Sequence, residues 1–170
     1  MAQILLILGG ARSGKSARAL ALAVQPPHVF IATAEALDSE MAERIRRHQA
    51  ERGASWGLVE APLDLVGAVR DHAGEKVTLL VDCLTLWLSN LMHHGRDVEV
   101  ETETLIAELV AAPGRVVLVS NEVGMGLAPT DPLGREFRDA QGRLNQCVAE
   151  FADRVEFVAA GLPLTLKGAP

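Results

Sequence analysis

A lysine and a serine close a glycine-rich stretch near the start of the chain, and this combination is typical of phosphate binding. Residues 9–16 fit the pattern G-x-x-x-x-G-K-[S/T]. Backbone N–H groups of such a loop, with the positive end of the following helix, surround nucleotide phosphates. Lys15 would reach the outer phosphates and the Ser16 hydroxyl would bind Mg²⁺. The alternative is a glycine-rich turn with an incidental lysine. The predicted contacts are Gly9, Gly10, Ala11, Arg12, Ser13, Gly14, Lys15 and Ser16.

An aspartate ends a second apolar run. Residues 77–82 read Val-Thr-Leu-Leu-Val-Asp, which is typical of a buried parallel strand with an acid at its carboxyl end. Beside a phosphate loop, such an aspartate holds the Mg²⁺ that the loop serine also binds. Asp82 could instead cap the next helix. We predict the metal role, shared with Ser16, because the phosphate loop is present.

A third apolar run ends in residues that should lie near the same site. Residues 28–33 read His-Val-Phe-Ile-Ala-Thr, a short buried strand. Ligands of open α/β sheets bind outside the carboxyl ends of the strands, so Thr33, Ala34 and Glu35 become predicted nucleotide contacts. The Thr33 hydroxyl could equally well only tie down a turn.

One histidine lies among arginines on a predicted helix. Residues 40–52 can form a helix in which His48 shares an apolar face with Met41 and Ile45. Acid and base pairs four residues apart explain Arg44 and Arg47 as a solvated face. From spacing alone, His48 is therefore interpreted as a structural histidine.

Other potential metal ligands have weaker patterns. His93 and His94 are adjacent, but no third ligand is near in sequence, which favours an exposed helix end. Cys83 and Cys147 lack metal or redox spacing, and we predict that both are small core residues in a reducing cytoplasm.

Strands and helices alternate along the whole chain. This order and the phosphate loop predict a three-layer α/β fold of the P-loop NTPase (RecA-like) class, with a mostly parallel central sheet. The last strand is expected to be an antiparallel edge. Besides the segments above, strands are predicted at 4–8, 56–60, 116–120, 155–159 and 162–166, and helices at 16–23, 62–73, 84–92, 97–108 and 135–152.

Composition limits the classes of partner. The chain has 170 residues, 49% of them hydrophobic, and we predict one catalytic domain over residues 1–170. Its net charge of -6 disfavours a general nucleic-acid binder. No apolar run approaches the roughly 20 residues of a membrane span, and the apolar start reads as a core strand instead of a signal peptide. A cytoplasmic location is the expectation.

Six segments together resemble one enzyme family. The phosphate loop is shared with many NTPases, but Asn-Glu-Val-Gly-Met-Gly at 121–126 and Gly-Arg-Leu-Asn-Gln at 142–146 are more specific. In these segments, the chain resembles the adenosylcobinamide kinase/adenosylcobinamide-phosphate guanylyltransferase family. The resemblance covers nearly the whole chain in order, through residues 9–16, 31–34, 44–48, 81–85, 120–126 and 137–146.

The resemblance implies two reactions. ATP or GTP would phosphorylate adenosylcobinamide, and GTP would then donate GMP to the product, with Mg²⁺ as cofactor. It also implies a guanylylated histidine, which is His48 here, and so reverses the structural interpretation of that residue. Arg47 stands where some relatives carry a second histidine. Lys15 would be the other catalytic residue, and a homo-oligomer, a trimer, is expected. Further nucleotide contacts implied by the family are Glu51, Glu60 and Asp82.

Two other classes of protein stay open at this point. One is a different P-loop enzyme, either a small-molecule kinase or a RecA-like ATPase. The other is a nucleotide-dependent switch that reports phosphate binding to a partner through the loop at 121–132. For the kinase step, Glu122 is the sequence candidate for the base that accepts the substrate's proton.

Overall fold

The computed structural model describes residues 2–23, 26–35 and 56–169. The predicted helix at 40–52, with His48 and Glu51, lies outside these residues. The strands of the described part are β1 (Gln3–Gly9), β2 (His28–Ala32), β3 (Trp56–Glu60), β4 (Thr78–Asp82), β5 (Arg115–Asn121), β6 (Arg154–Ala159) and β7 (Leu162–Lys167). Its helices are α1 (Lys15–Leu22), α2 (Leu65–His72), α3 (Leu84–His93), α4 (Val98–Ala111) and α5 (Pro132–Phe151).

All seven strands join one sheet in the order β3-β2-β4-β5-β1-β6-β7. Every pairing is parallel except that of β6 with β7, which is antiparallel. This confirms the prediction of a mostly parallel sheet with an antiparallel last strand. Because β5 separates β1 from β4, the strand that leads into the phosphate loop and the strand that ends at Asp82 are not direct neighbours.

The sheet is covered on both faces, as the alternating side chains of its strands require. Leu5 and Ile7 of β1 pack with Ala19 of α1 on one face. Leu6 and Leu8 belong to the larger cluster on the other face, which α2, α3, α4 and α5 cover. Burial of both faces explains why the central strands are continuous apolar runs. The three-layer architecture predicted from the sequence is confirmed.

Two helices begin three residues away from their predicted starts, and side-chain caps explain both. For α2, predicted to begin at residue 62, the Asp64 carboxylate accepts the Gly67 N–H at 2.9 Å and sets the start at Leu65. For α5, predicted at residue 135, Asp131 caps the Gly134 N–H at 2.6 Å and Pro132 takes the first turn.

The two cysteines differ in environment. Cys83 is buried, as predicted, but Cys147 is exposed, so the prediction of two core cysteines is wrong for Cys147. The buried stripe of α5 runs through Ala140, Leu144 and Val148, and Cys147 lies outside that stripe. Neighbouring residues of a helix point to different faces, so Cys147 can be exposed beside the buried Val148. The spacing between the two cysteines does not reveal which face each one occupies.

Candidate active site

The phosphate loop connects the end of β1 to the start of α1, and its backbone accepts only small residues at key points. A Cβ on Gly9 would lie 2.6 Å from the carbonyl oxygen of Val158 on the neighbouring strand. Gly14 has a φ of +96°, in the left-handed region that glycine adopts without strain. The Lys15 ammonium lies over the loop and donates to the Gly10 carbonyl at 3.0 Å. The Lys15 side chain therefore folds back over the loop and contacts the loop backbone.

Ser16 and Asp82 meet although they are 66 residues apart in sequence. The Ser16 hydroxyl donates to Oδ2 of Asp82 at 3.2 Å. Asp82 ends β4 and Ser16 lies in the first turn of α1, so the sheet brings the two predicted metal ligands together. Mg²⁺ takes one or two protein oxygens and completes its shell with water and substrate phosphates. The hydroxyl and carboxylate of this pair fit that requirement.

Glu60 lies on the same row of the sheet as Asp82. In the strand register, Ala32 of β2 is the partner of Glu60 on one side and of Asp82 on the other. Three adjacent strands therefore end level with one another, at the edge where ligands of open α/β sheets bind. Glu60 is exposed and its carboxylate is accessible from solvent there.

Thr33 is fully buried and holds the peptide that follows Asp82. Its hydroxyl donates to the Cys83 carbonyl at 2.7 Å and accepts the Cys83 N–H at 2.8 Å. The Thr33 carbonyl accepts the Asn90 amide at 2.7 Å. These contacts match the alternative in which Thr33 ties down the chain, and they fix the backbone next to Asp82.

Glu35 pairs with a histidine from the end of α3. The two side chains approach to 3.1 Å between Glu35 Oε1 and His94 Nε2. His94 and its neighbour His93 are exposed. The residues that the structure describes contain no cluster of three or more His, Cys, Asp or Glu side chains suited to a metal ion. Ala34, between Thr33 and Glu35, is half-buried at the same edge.

A polar network fixes the end of β5, the strand between β1 and β4. The Asn121 N–H donates to the Thr85 hydroxyl at 2.8 Å, and the Asn121 carbonyl accepts the Asn145 amide at 3.0 Å. Ser120 and Gln141 complete the network through Asn145. Polar residues at the end of a strand, followed by glycines, indicate a functional loop after β5, but the sequence does not predict the partners of that loop on α5. The missed signal was polar residues on the inward face of α5, opposite the end of a buried strand.

The loop after β5 begins beside the phosphate loop. The Glu122 N–H donates to the Gly9 carbonyl at 3.0 Å. The Glu122 carboxylate, the sequence candidate for a base, accepts the Gly124 and Met125 N–H groups at 2.6 and 3.1 Å. Glu122 thus orders the loop, which exposes 79% of Met125 and 99% of Leu127.

The thiol next to Asp82 is not poised for chemistry. Burial, with a smaller contribution from the Asp82 charge, raises the pKa of Cys83 to about 11. A thiol with such a pKa is protonated near neutral pH, and the nucleophilic form of cysteine is the thiolate. Cys83 therefore acts as a small packed side chain in the wall of the site.

A groove of about 710 Å³ lies elsewhere, between α5 and the segment formed by the end of α3 and α4. Met92, Ile106 and Leu133 give it an apolar part, but no residue of the phosphate loop lines it. Within residues 2–23, 26–35 and 56–169, no helix has the length and apolar character needed to cross a bilayer.

Comparison with known proteins finds relatives that cover nearly the whole chain. The family described as cobinamide kinase/cobinamide phosphate guanyltransferase matches residues 5–166. The bifunctional adenosylcobalamin biosynthesis protein CobP of Pseudomonas aeruginosa is 48% identical over 169 residues, covering 97% of this chain and 98% of the relative. CobU of Salmonella typhimurium, named in the same way, is 38% identical over 180 residues, covering 96% and 99%.

Among solved structures, an ATPase from the type III secretion system of pathogenic bacteria has a similar fold. The TM-score is 0.56 at 13% identity, over 96% of this chain and 56% of that chain. At this level of identity the likeness concerns the fold alone. It confirms the P-loop NTPase class predicted from the sequence.

Proposed function

The chain belongs to the cobinamide kinase/cobinamide phosphate guanyltransferase family, and from this premise we propose its substrates, its covalent intermediate and its site residues. It is a bifunctional kinase and nucleotidyltransferase of adenosylcobalamin biosynthesis. We propose that ATP or GTP phosphorylates adenosylcobinamide, and that GTP then guanylylates the product. The contact between Ser16 and Asp82 carries this proposal, because it joins the phosphate loop to an acidic strand end in one site.

In the kinase step, the hydroxyl oxygen of the aminopropanol arm attacks the terminal phosphorus of the nucleotide. A new P–O bond forms, the bond to the bridging oxygen breaks, the nucleoside diphosphate leaves, and the hydroxyl proton is released to solvent. Lys15 and the loop N–H groups stabilise the charge on the phosphate oxygens. Ser16 and Asp82 would hold Mg²⁺, which neutralises phosphate charge when bound. The remaining loop residues, Gly9 to Gly14, would contact the phosphates mainly through their backbone.

In the transfer step, a neutral His48 attacks the α-phosphorus of GTP. A P–N bond forms and pyrophosphate leaves, and the phosphate oxygen of the corrinoid then attacks the same phosphorus and releases the histidine. Support for His48 comes from its position in the Arg-Ile-x-x-His segment of the family resemblance. We propose Glu51, Glu60 and Asp82 as further nucleotide contacts, with Ala34 and Glu35 at the neighbouring strand end. Thr33 would support that strand end from the buried side through its hydrogen bonds to the Cys83 peptide. Glu60 and Asp82 end the two strands that flank β2, at the same level of the sheet, and this position supports the inclusion of Glu60.

We propose that the corrinoid ring lies against the ordered loop of residues 122–131. The reacting arm must reach the phosphates at Lys15, so the ring has to lie close to the phosphate loop. Glu122 is hydrogen-bonded to that loop, and the exposed side chains of Met125 and Leu127 follow it. A corrinoid presents a broad, largely apolar ring, and exposed apolar side chains next to a polar site are suited to such a ligand.

Three broader features are proposed: a homotrimer on the family resemblance, and a cytoplasmic location and one catalytic domain over residues 1–170 on the composition and length of the chain. The single sheet formed by the described strands is consistent with the last of these.

Product analysis tests the proposed function. The protein would be incubated with adenosylcobinamide, Mg²⁺ and ATP, and the corrinoid examined by mass spectrometry before and after GTP is added. We expect one added phosphate first and adenosylcobinamide-GDP second. The variant His48→Ala should still form the phosphate but no GDP product. ATP hydrolysis with an unmodified corrinoid would contradict the proposal and favour a simple ATPase.

A further inference from the structure

A carboxylate occupies a core position on β6, next to the strand of the phosphate loop. Only 1% of the Glu156 side chain is exposed. Its partner in the register is Ile7 of β1, which packs on the α1 face of the sheet together with Val158 of β6. Burying a carboxylate costs free energy unless a partner compensates, and an apolar residue would fill such a position without that cost.

The compensating partner comes from the helix that carries the phosphate-binding residues. Arg18 Nε donates to Glu156 Oε2 at 2.7 Å, and Arg18 Nη2 donates to Oε1 at 2.9 Å. Arg154, from the same strand, donates to Oε1 as well. The hydrogen bond from Arg18 is the main reason that the pKa of Glu156 lies below its ordinary value, so the carboxylate is charged at neutral pH.

The same strand and its hairpin touch the phosphate loop at three more points. The Gly161 N–H, in the turn between β6 and β7, donates to the Ser13 carbonyl at 2.8 Å. A Cβ on Gly14 would lie 3.1 Å from the Gly161 Cα, and Gly9 lies against the Val158 carbonyl. β6 and its hairpin therefore contact the start of the loop, the end of the loop and the helix that follows.

We propose that Glu156 is a positioning residue for the phosphate loop and acts through Arg18. Arg18 lies three residues after Lys15, one turn along α1, and two parallel hydrogen bonds from a planar guanidinium define an orientation that a single bond does not. The pair therefore fixes the rotation of α1 about its axis, and with it the directions of Lys15 and Ser16. This inference rests on nucleotide binding at the loop, and it is independent of the corrinoid chemistry.

Two matched variants test this role on the same carboxylate. Arg18→Lys keeps the charge next to Glu156 but loses the two-bond geometry, and Arg154→Lys makes the identical change at the other partner. The affinity for a fluorescent GDP with Mg²⁺ would be measured, together with thermal unfolding and hydrogen exchange of the amides of residues 10–16. We expect Arg18→Lys to weaken GDP binding about tenfold and to speed exchange in the loop, since small displacements of binding groups are costly. Arg154→Lys should stay within about twofold of the unmodified protein.

A purely structural ion pair gives a different result. In that case both variants lower the unfolding temperature while GDP affinity stays the same or falls equally in both, and either outcome overturns the proposal. GDP binding by the unmodified protein is measured first. If the unmodified protein does not bind GDP, the nucleotide site is wrong and this inference fails with it. Loss of corrinoid activity with the affinity pattern intact would contradict the proposed function and leave this inference standing.

Discussion

The Ser16 hydroxyl and the Asp82 carboxylate lie 3.2 Å apart, one in the first turn of α1 and the other at the end of β4. This contact joins two strands that are separated in the sheet by β5. A hydroxyl and a carboxylate this close fit the one or two protein oxygens that Mg²⁺ takes beside nucleotide phosphates. Under the proposed function, both reactions use a nucleotide held at this pair.

Removing the Asp82 charge should therefore impair both activities. Asp82→Asn keeps the size of the side chain but weakens Mg²⁺ binding, and we expect kcat/KM to fall at least about 100-fold in each reaction. Initial rates measured over a range of Mg²⁺ concentrations would check this. The control is Asp97→Asn at the start of α4, where asparagine caps a helix equally well. Full activity of Asp82→Asn would contradict the metal role.

The exposed loop after β5 should affect corrinoid binding alone. We expect Leu127→Asn to raise the KM for adenosylcobinamide about tenfold, the cost of losing roughly half of a buried leucine contact. The KM for ATP should stay unchanged, and steady-state kinetics with each substrate varied would measure both. Val100→Asn changes an exposed apolar residue on α4 and serves as control. Equal effects of the two variants would argue against a corrinoid at this loop.

The turn between β6 and β7 offers a stabilising substitution. Its two residues, Ala160 and Gly161, have φ values of 52° and 76°, the type I′ pattern. Alanine is unfavourable in the left-handed region by about 1 kcal/mol, whereas Asn-Gly is preferred there. Ala160→Asn should raise the unfolding temperature by about 2–4 °C in calorimetry. Ala160→Val should lower the unfolding temperature. A lower unfolding temperature for Ala160→Asn than for Ala160→Val would show that the left-handed conformation of this turn does not affect stability as argued.

Acid should weaken the contribution of Glu156 to stability. The pKa of Glu156 is lowered in the folded protein, chiefly by the hydrogen bond from Arg18 and further by Arg154. A lowered pKa means that the stabilisation is complete above the pKa of the unfolded chain, about 4.3, and is lost as the pH falls through the folded value. At pH 7, Glu156→Gln should reduce the free energy of unfolding by about 3 kcal/mol.

Urea unfolding of both proteins at several pH values would measure this linkage. The difference between them should shrink below about pH 4, because a protonated glutamate resembles glutamine. A difference that stays constant from pH 7 to pH 3 would mean that the ion pair does not carry the stabilisation.

The features predicted correctly are those encoded over short stretches of sequence. The phosphate loop is one continuous motif, and Asp82 closes an apolar run that is typical of a buried strand. The predicted starts of α2 and α5 each differ from the observed ones by three residues, because the prediction does not take the caps Asp64 and Asp131 into account. Those two signals were local and could have been found.

Other features depend on which strands become neighbours. Arg18 and Glu156 are 138 residues apart, and Thr33 meets the Cys83 peptide across 50 residues. From the sequence, a glutamate within a strand is expected to face solvent. The periodicity of the strand does not show that α1 will cover Glu156 and supply Arg18 as its partner. Only the order of the strands brings such residues together, and that order follows from the packing of the whole sheet.

The guanylyl-histidine at His48 is the central claim and can be tested directly. The protein would be incubated with GTP labelled at the α-phosphorus, denatured, and assayed for label stable to alkali and labile to acid, as a P–N bond should be. We predict that this label forms, that adding adenosylcobinamide phosphate before denaturation moves it to the corrinoid, and that His48→Ala carries none. Absence of the label, or equal labelling of His48→Ala, would contradict the account.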